Sequence, residues 1–322
     1  MMLFQNNTNL AYKRLIDRIL ELKATLDESF LELFYKESEF QITDCNAKLN
    51  LQILKIENNQ FCYPELINHL RNHFISFSLS RKEIQDFEKD RRYGELYEKA
   101  ASKFRDYNIN DGEAGELLLF CFLESHLKAP KILTKLEIKL STRDYAKGSD
   151  GVHLLKVADK EYQLIFGESK LEQKLTTSIS NAFKSIHDFL TRSKSNIYDE
   201  IGLISSQLGK ETFDEDLYQF LKSVIMPKAN SDEPIVKNNA FAIFAGFEID
   251  PTEDQKKLSN SDYLNTIRQQ IRAEVEGKID HIKMKISDYS LHGYTFYVYV
   301  FPFVKLDEIR KEIIEKITYA KQ

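Results

Sequence analysis

The sequence predicts an α/β fold, and three observations carry that prediction. From Glu113 onward the hydrophobic period changes in the order helix, three strands, helix, strand. Residues 152–157 and 161–170 are alternating runs on either side of a tight Ala158-Asp159-Lys160 turn, which makes an antiparallel hairpin. Residues 240–249 are apolar almost without interruption, as in a strand buried on both faces, so helices must cover the sheet and at least one crossover must join its strands. Ahead of this core, residues 1–90 read as an α+β accessory region, which leaves 91–322 for the core with its C-terminal strand and helix.

Each element has its own signal. Leu15, Ile19, Leu22 and Leu26 recur at helical spacing over 10–26. Residues 48–57 alternate through Leu49, Leu51 and Ile53 and read as a strand. Pro64 opens a short helix, since a first-turn proline loses no intrahelical bond, and residues 74–79 read as another strand. Ser80 with Glu83 forms a capping box for a long charged helix reaching about Phe104. Residues 108–112 break the chain, and a helix over 113–127 ends before Pro130. Residues 132–140 alternate as a strand, 144–151 form a turn-rich connection, and residues 172–190 after the hairpin are helical. A weaker helix covers 213–225, and a polar loop with Pro234 covers 231–237. A helix near 263–276, an aromatic strand over 294–303 and a last helix from Asp307 close the chain.

Composition removes several function classes. At 42% hydrophobic and 30% charged residues the chain is neither disordered nor collagen-like. Its longest apolar runs, 117–123 and 240–247, fall far short of the roughly 20 residues that span a bilayer. The amino terminus has no basic region ahead of an apolar core, so a cytoplasmic location without a membrane partner is expected. Cys45, Cys62 and Cys121 match no zinc spacing or disulfide framework and read as free thiols. With 45 Lys/Arg against 50 Asp/Glu, nothing global marks a nucleic-acid binder. The stretch Lys128–Lys174, however, holds 10 Lys/Arg against 7 Asp/Glu, a local positive excess of the kind that phosphate backbones require.

The chemistry-bearing residues gather at the hairpin. If its loop is the three residues 158–160, Val157 faces Glu161, and counting back along both strands puts Asp150 opposite Glu168. Lys170, two residues on, shares the Glu168 face. Adjacent carboxylates repel unless something positive lies between them, and a hard divalent cation with oxygen ligands is the natural neutraliser. Upstream, the Asp111-Gly112-Glu113-Ala114-Gly115-Glu116 segment opens an apolar helix whose small residues permit close approach to a sheet, with Glu116 in reach as a third carboxylate.

This arrangement resembles the PD-(D/E)xK nuclease superfamily, whose motif is an acid on the first core helix, an Asp, and then (D/E)-x-Lys. Glu116 matches the helix acid, Asp150 the central Asp, and Glu168 and Lys170 the paired element; the usual Pro before the Asp is Ser149 here. More narrowly, GELLLF, GSDGVHL and GESK in this order resemble the HamA family, nuclease subunits of the Hachiman anti-phage system. The resemblance implies a PD-(D/E)xK restriction-endonuclease-like core and a Mg²⁺-dependent deoxyribonuclease, with Mn²⁺ as a possible substitute. It further implies catalytic Glu116, Asp150, Glu168 and Lys170, and metal ligation by Glu116, Asp150, Glu168 and the Ser169 carbonyl. DNA would be the substrate and a superfamily-2 helicase of the same defence system the controlling partner; residues 1–90, apart from the motif and of mixed charge, are the expected place for that helicase to dock.

Other signals are set aside. His69 and His73 have helical zinc spacing, but Leu70 stands where the general-base Glu of H-E-x-x-H belongs. His153 faces away from Asp150 under the pairing above and reads as a core or supporting residue. No phosphate-binding G-x-x-x-x-G-K-[ST] loop, G-x-G-x-x-G turn or Gly-x-Ser-x-Gly elbow is present. The rival reading is a non-catalytic nucleic-acid- or partner-binding module on the same fold, which a cleavage assay separates from the nuclease.

Overall fold

The computed structural model describes residues 22–37, 39–104, 112–138, 148–191, 197–212, 215–227 and 235–319. Its centre is a seven-stranded mixed sheet: β1 (Glu39–Ile42), β2 (Ala47–Leu51), β3 (Lys131–Thr134), β4 (Gly151–Ala158), β5 (Glu161–Glu172), β6 (Val236–Glu248) and β7 (Thr295–Phe303). The spatial order is β1-β2-β7-β6-β5-β4-β3. Strands β2, β7, β6 and β5 run parallel, while β1 on one side and β4 and β3 on the other pair antiparallel. The mixed α/β class is therefore the one that the periodicities predict.

Ten helices matter here: α1 (Tyr63–Ser78), α2 (Arg81–Lys89), α3 (Tyr93–Ala101), α4 (Glu113–Ser125), α5 (Leu175–Thr191), α6 (Ile197–Gln207), α7 (Glu215–Ile225), α8 (Asn260–Glu276), α9 (Ile279–Asp288) and α10 (Leu306–Thr318). Helix α4 lies against β5 and β6 with α1 and α10 behind it; α5 covers the same two strands and packs on α9. Strand alternation places α4 and α5 on opposite faces. Gly115 of α4 abuts Ser169 and Leu171, whereas the Phe183 ring of α5 meets Phe296, which stacks with Phe241 beside Phe166. On the α4 side Phe122 stacks on Tyr299 with ring centroids 5.2 Å apart. Residues buried on both faces make β6 and β7 continuous apolar runs, as parallel central strands require.

Several expectations are corrected. Residues 74–79 are not a strand but the end of α1, and the helix opened by Pro64 is 16 residues long. Leu66, Ile67, Leu70, Phe74 and Phe77 form one buried helical stripe, and packing of that stripe overrides the local strand preference of its aromatics. The Ser80–Glu83 capping box is present, but the charged helix stops at Lys89 and restarts at Tyr93, because Arg91 takes a left-handed conformation (φ 57). The strand expected over 132–140 ends at Thr134, whose Oγ accepts the Glu137 N–H (3.2 Å) and turns Lys135–Ile138 into one helical turn. The strand expected over 48–57 divides into three pieces.

Of the helix expected over 10–26 only residues 22–26 are described, and they are irregular. Most of the expected break at 108–112 and of the loop over 231–237, and half of the connection over 144–151, lie outside the described residues. Strand β1 and helices α6 and α9 have no counterpart in the expected elements.

Residues 39–51 supply two strands of the main sheet, and α1 packs on α4 and α10. The described residues among the first ninety thus share one hydrophobic core with the rest of the described chain. Among the described residues no helix is long and apolar enough to cross a membrane.

Candidate functional site

The hairpin register holds, by a route other than the expected one. Gly151 pairs with Gly167, Val152 with Phe166 and Lys156 with Tyr162, as the count predicts. The turn, however, has two residues, with Ala158 facing Glu161 and an irregularity at Val157 taking up the extra residue. Lys160 adopts the left-handed conformation (φ 59) that closes so tight a turn.

Asp150 lies one residue before β4 begins. Gly148 has φ 136, a backbone state that side chains other than hydrogen rarely accept, and this sets the angle at which the chain delivers Ser149 and Asp150. The Asp150 N–H donates to the Gly167 carbonyl (2.9 Å), and Oδ2 accepts the Ser169 N–H (2.8 Å). The buried carboxylate therefore sits at the rim of the sheet, satisfying an amide of β5 that β4 no longer reaches.

Glu168 and Lys170 project on the α5 side. Lys170 Nζ donates to Glu168 Oε1 (2.5 Å), and Ser185 of α5 also bonds the Glu168 carboxylate. Burial and the Asp150 charge push Glu168 up to about 7, against the pull of Lys170 and Ser185. Burial works against the charge on Lys170, but Glu168 and Asp150 outweigh it and hold its pKa above the ordinary lysine value. Lys170 is thus a protonated donor at neutral pH.

Glu116, in the first turn of α4, approaches from the other face. Gly115 makes that approach possible, because a Cβ there would lie 2.2 Å from Ser169 Oγ. Glu116 and Asp150 line one small pocket with Thr134, His153 and Gly167. Asp150 consequently stands between the two faces, beside Glu168 on one and sharing a pocket with Glu116 on the other. His153 is buried, and its Nδ1 bonds the Ala129 carbonyl (2.8 Å), in keeping with a core role.

Three participants were missed by reading the sequence. Lys135 Nζ reaches Asp150 Oδ1 (3.3 Å), and its N–H donates to the Asp150 carbonyl (3.1 Å). The Thr134…Glu137 spacing of a helix cap signals the turn that carries it. Ser178 bonds the Lys170 carbonyl (2.9 Å) and Ser185 bonds Glu168; two serines seven apart on the sheet-facing side of α5 are the signal there.

The donor set is hard oxygen chemistry, two adjacent carboxylates with a third across a shared pocket, and fits Mg²⁺ or Mn²⁺ rather than a soft metal. Among the described residues no three His, Cys, Asp or Glu side chains already cluster as metal ligands, and Lys135 and Lys170 supply the countercharge.

Among curated proteins none matches the chain. The HamA family model matches residues 28–317, nearly the whole described fold and all of the residues just placed. The chain therefore belongs to the HamA family and is a component of Hachiman anti-phage defence.

Proposed function

We infer that this HamA protein is a metal-dependent DNA nuclease of PD-(D/E)xK type, hydrolysing phosphodiester bonds under the control of a superfamily-2 helicase. The observation that carries this reading is the meeting of Asp150 with Glu168 at the sheet rim, with Lys170 bonded to Glu168. Glu116, Asp150, Glu168 and the Ser169 carbonyl would hold Mg²⁺ or Mn²⁺. When bound, such an ion lowers the pKa of a coordinated water and offsets charge on a phosphodiester under attack.

The chain's own groups do the remaining work. The Ser169 N–H fixes one Asp150 oxygen, so that the other faces the site. Lys170, kept protonated by its neighbours, orients the water and stabilises the charge that develops on the phosphate. The local excess of Lys and Arg over Lys128–Lys174 supports backbone contacts to DNA.

For the helicase, residues 1–90 offer a surface in α2, a helix with no buried residue. Ile84 and Phe87 lean on the core, and the exposed, charged remainder of the helix is the part open to a partner.

The test is cleavage of DNA by the purified chain, alone and with its helicase, with Mg²⁺ or Mn²⁺ and with chelator. Glu168→Ala and Lys170→Ala should each abolish cutting while circular dichroism stays that of the wild type. Undiminished cutting by the double variant would remove these residues from the mechanism. Absence of metal-dependent cutting by the wild-type complex would favour the non-catalytic binding module.

A further inference from the structure

The geometry points to Lys135 as a positioning residue that occupies the site-facing oxygen of Asp150 and gives it up to a divalent cation. This rests on the metal-dependent reading above. The two Asp150 oxygens are held differently: Oδ2 by a backbone N–H at 2.8 Å, Oδ1 by the Lys135 ammonium at 3.3 Å. A backbone amide of a paired strand cannot withdraw without opening the sheet, whereas an ammonium on a four-carbon stem can swing away. Lys135 is nevertheless delivered rigidly. Its N–H is bonded to the Asp150 carbonyl, and its helical turn is anchored by Glu137 on the buried Lys131 ammonium (3.0 Å).

The ammonium of Lys135, on Asp150 Oδ1, is a stand-in for a metal. Asp150 faces Lys135, Glu168 faces Lys170, Glu116 shares the Asp150 pocket, and the two lysines act on each other as well. A doubly charged ion entering beside Asp150 repels both ammonium groups, and Lys135, on the longer contact, is the cation that yields. Its released ammonium, still tethered beside Asp150, is then available to a substrate phosphate. Lys135 thus keeps Asp150 oriented before metal arrives and lowers the affinity of the site for metal.

The consequence has a sign opposite to that of a supporting residue, whose loss weakens binding. Mn²⁺ is titrated into the full chain at pH 7 and constant ionic strength, with binding read by calorimetry. Lys135→Gln should bind Mn²⁺ roughly tenfold more tightly than wild type, the effect expected of removing one nearby like charge near the surface. Lys135→Arg should stay near wild type, and Asp150→Asn should lose binding. Lys135→Met, which keeps the stem, replaces the glutamine variant if circular dichroism shows that variant unfolded. If the neutral variants bind as wild type does or more weakly while Asp150→Asn abolishes binding, the role given to Lys135 is wrong and the metal reading stands. If wild type binds no Mn²⁺, or Asp150→Asn binds as well as wild type, the metal reading fails and the Lys135 inference falls with it.

Discussion

Glu211 offers a perturbation whose size follows from its surroundings. Its buried carboxylate accepts from the Arg81 N–H (3.3 Å) and Nε (3.2 Å), with Lys131 Nζ at 4.0 Å and Glu137 on the far side of that lysine. Burial and Glu137 push it up to about 8 from an ordinary 4.5, more than Lys131 and Arg81 pull it down. By pH 7 the unfolded chain has lost this proton while the folded chain still holds it, so the folded state binds more protons and stability falls as pH rises. The window runs from 4.5 to about 8. Between pH 7 and 8 this single group should remove about 1 kcal/mol of stability.

Glu211→Gln mimics the protonated form and should abolish that loss. Glu168, at about 7, adds a smaller fall in the same direction, but wild type and variant share it. His153, held down to about 4 by burial, acts with the other sign, its contribution being lost as pH falls below 6.5, and so does not enter between pH 7 and 8. Urea unfolding at pH 7 and 8, at fixed ionic strength, measures the difference. Parallel losses in wild type and Glu211→Gln would refute the assignment of that proton to Glu211.

Three further outcomes are expected. Gly115→Ala should destabilise by about 1–3 kcal/mol, since its Cβ would lie 2.2 Å from Ser169 Oγ and 3.2 Å from Leu171 Cγ. Ser169→Ala in the same chain should recover part of the loss in chemical denaturation, and no recovery would place the strain elsewhere. Ser80→Ala breaks the capping box of α2 and should cost about 1 kcal/mol in the same assay. Lys82→Glu with Lys89→Glu reverses two charges on the exposed face of α2 and should weaken co-purification with the proposed helicase partner at unchanged thermal stability; undiminished co-purification would move the proposed docking off α2.

The legible parts of this fold are those where side-chain period and burial agree. Strand β6 and the aromatic β7 read correctly because both faces are covered, and α4 because its apolar run ends in clear stop signals. The pairing of β4 with β5 was legible although its turn was not: the irregularity at Val157 adds to one strand the residue that the two-residue turn removes from the loop. Residues 74–79 were misread because Phe74, Ile75 and Phe77 favour strands locally, while the stripe begun at Leu66 carries the helix through them. Lys135 was hidden in an alternating run that one Thr134 cap diverts into a helical turn. That Glu116 and Glu168 stand on opposite faces, with Asp150 at the rim between them, depends on α4 crossing β5 at Gly115, a tertiary contact that no period encodes.

The pairing of β2 with β7 over Phe296–Val300 bears on any shortened form of the chain. Proteolysis or cloning after residue 90 would strip β1 and β2 and leave a bare border of Phe, Tyr and Val with unpaired amides and carbonyls. Such a border is a template for strand addition, so the fragment would self-associate into aggregates rather than persist as a smaller folded domain.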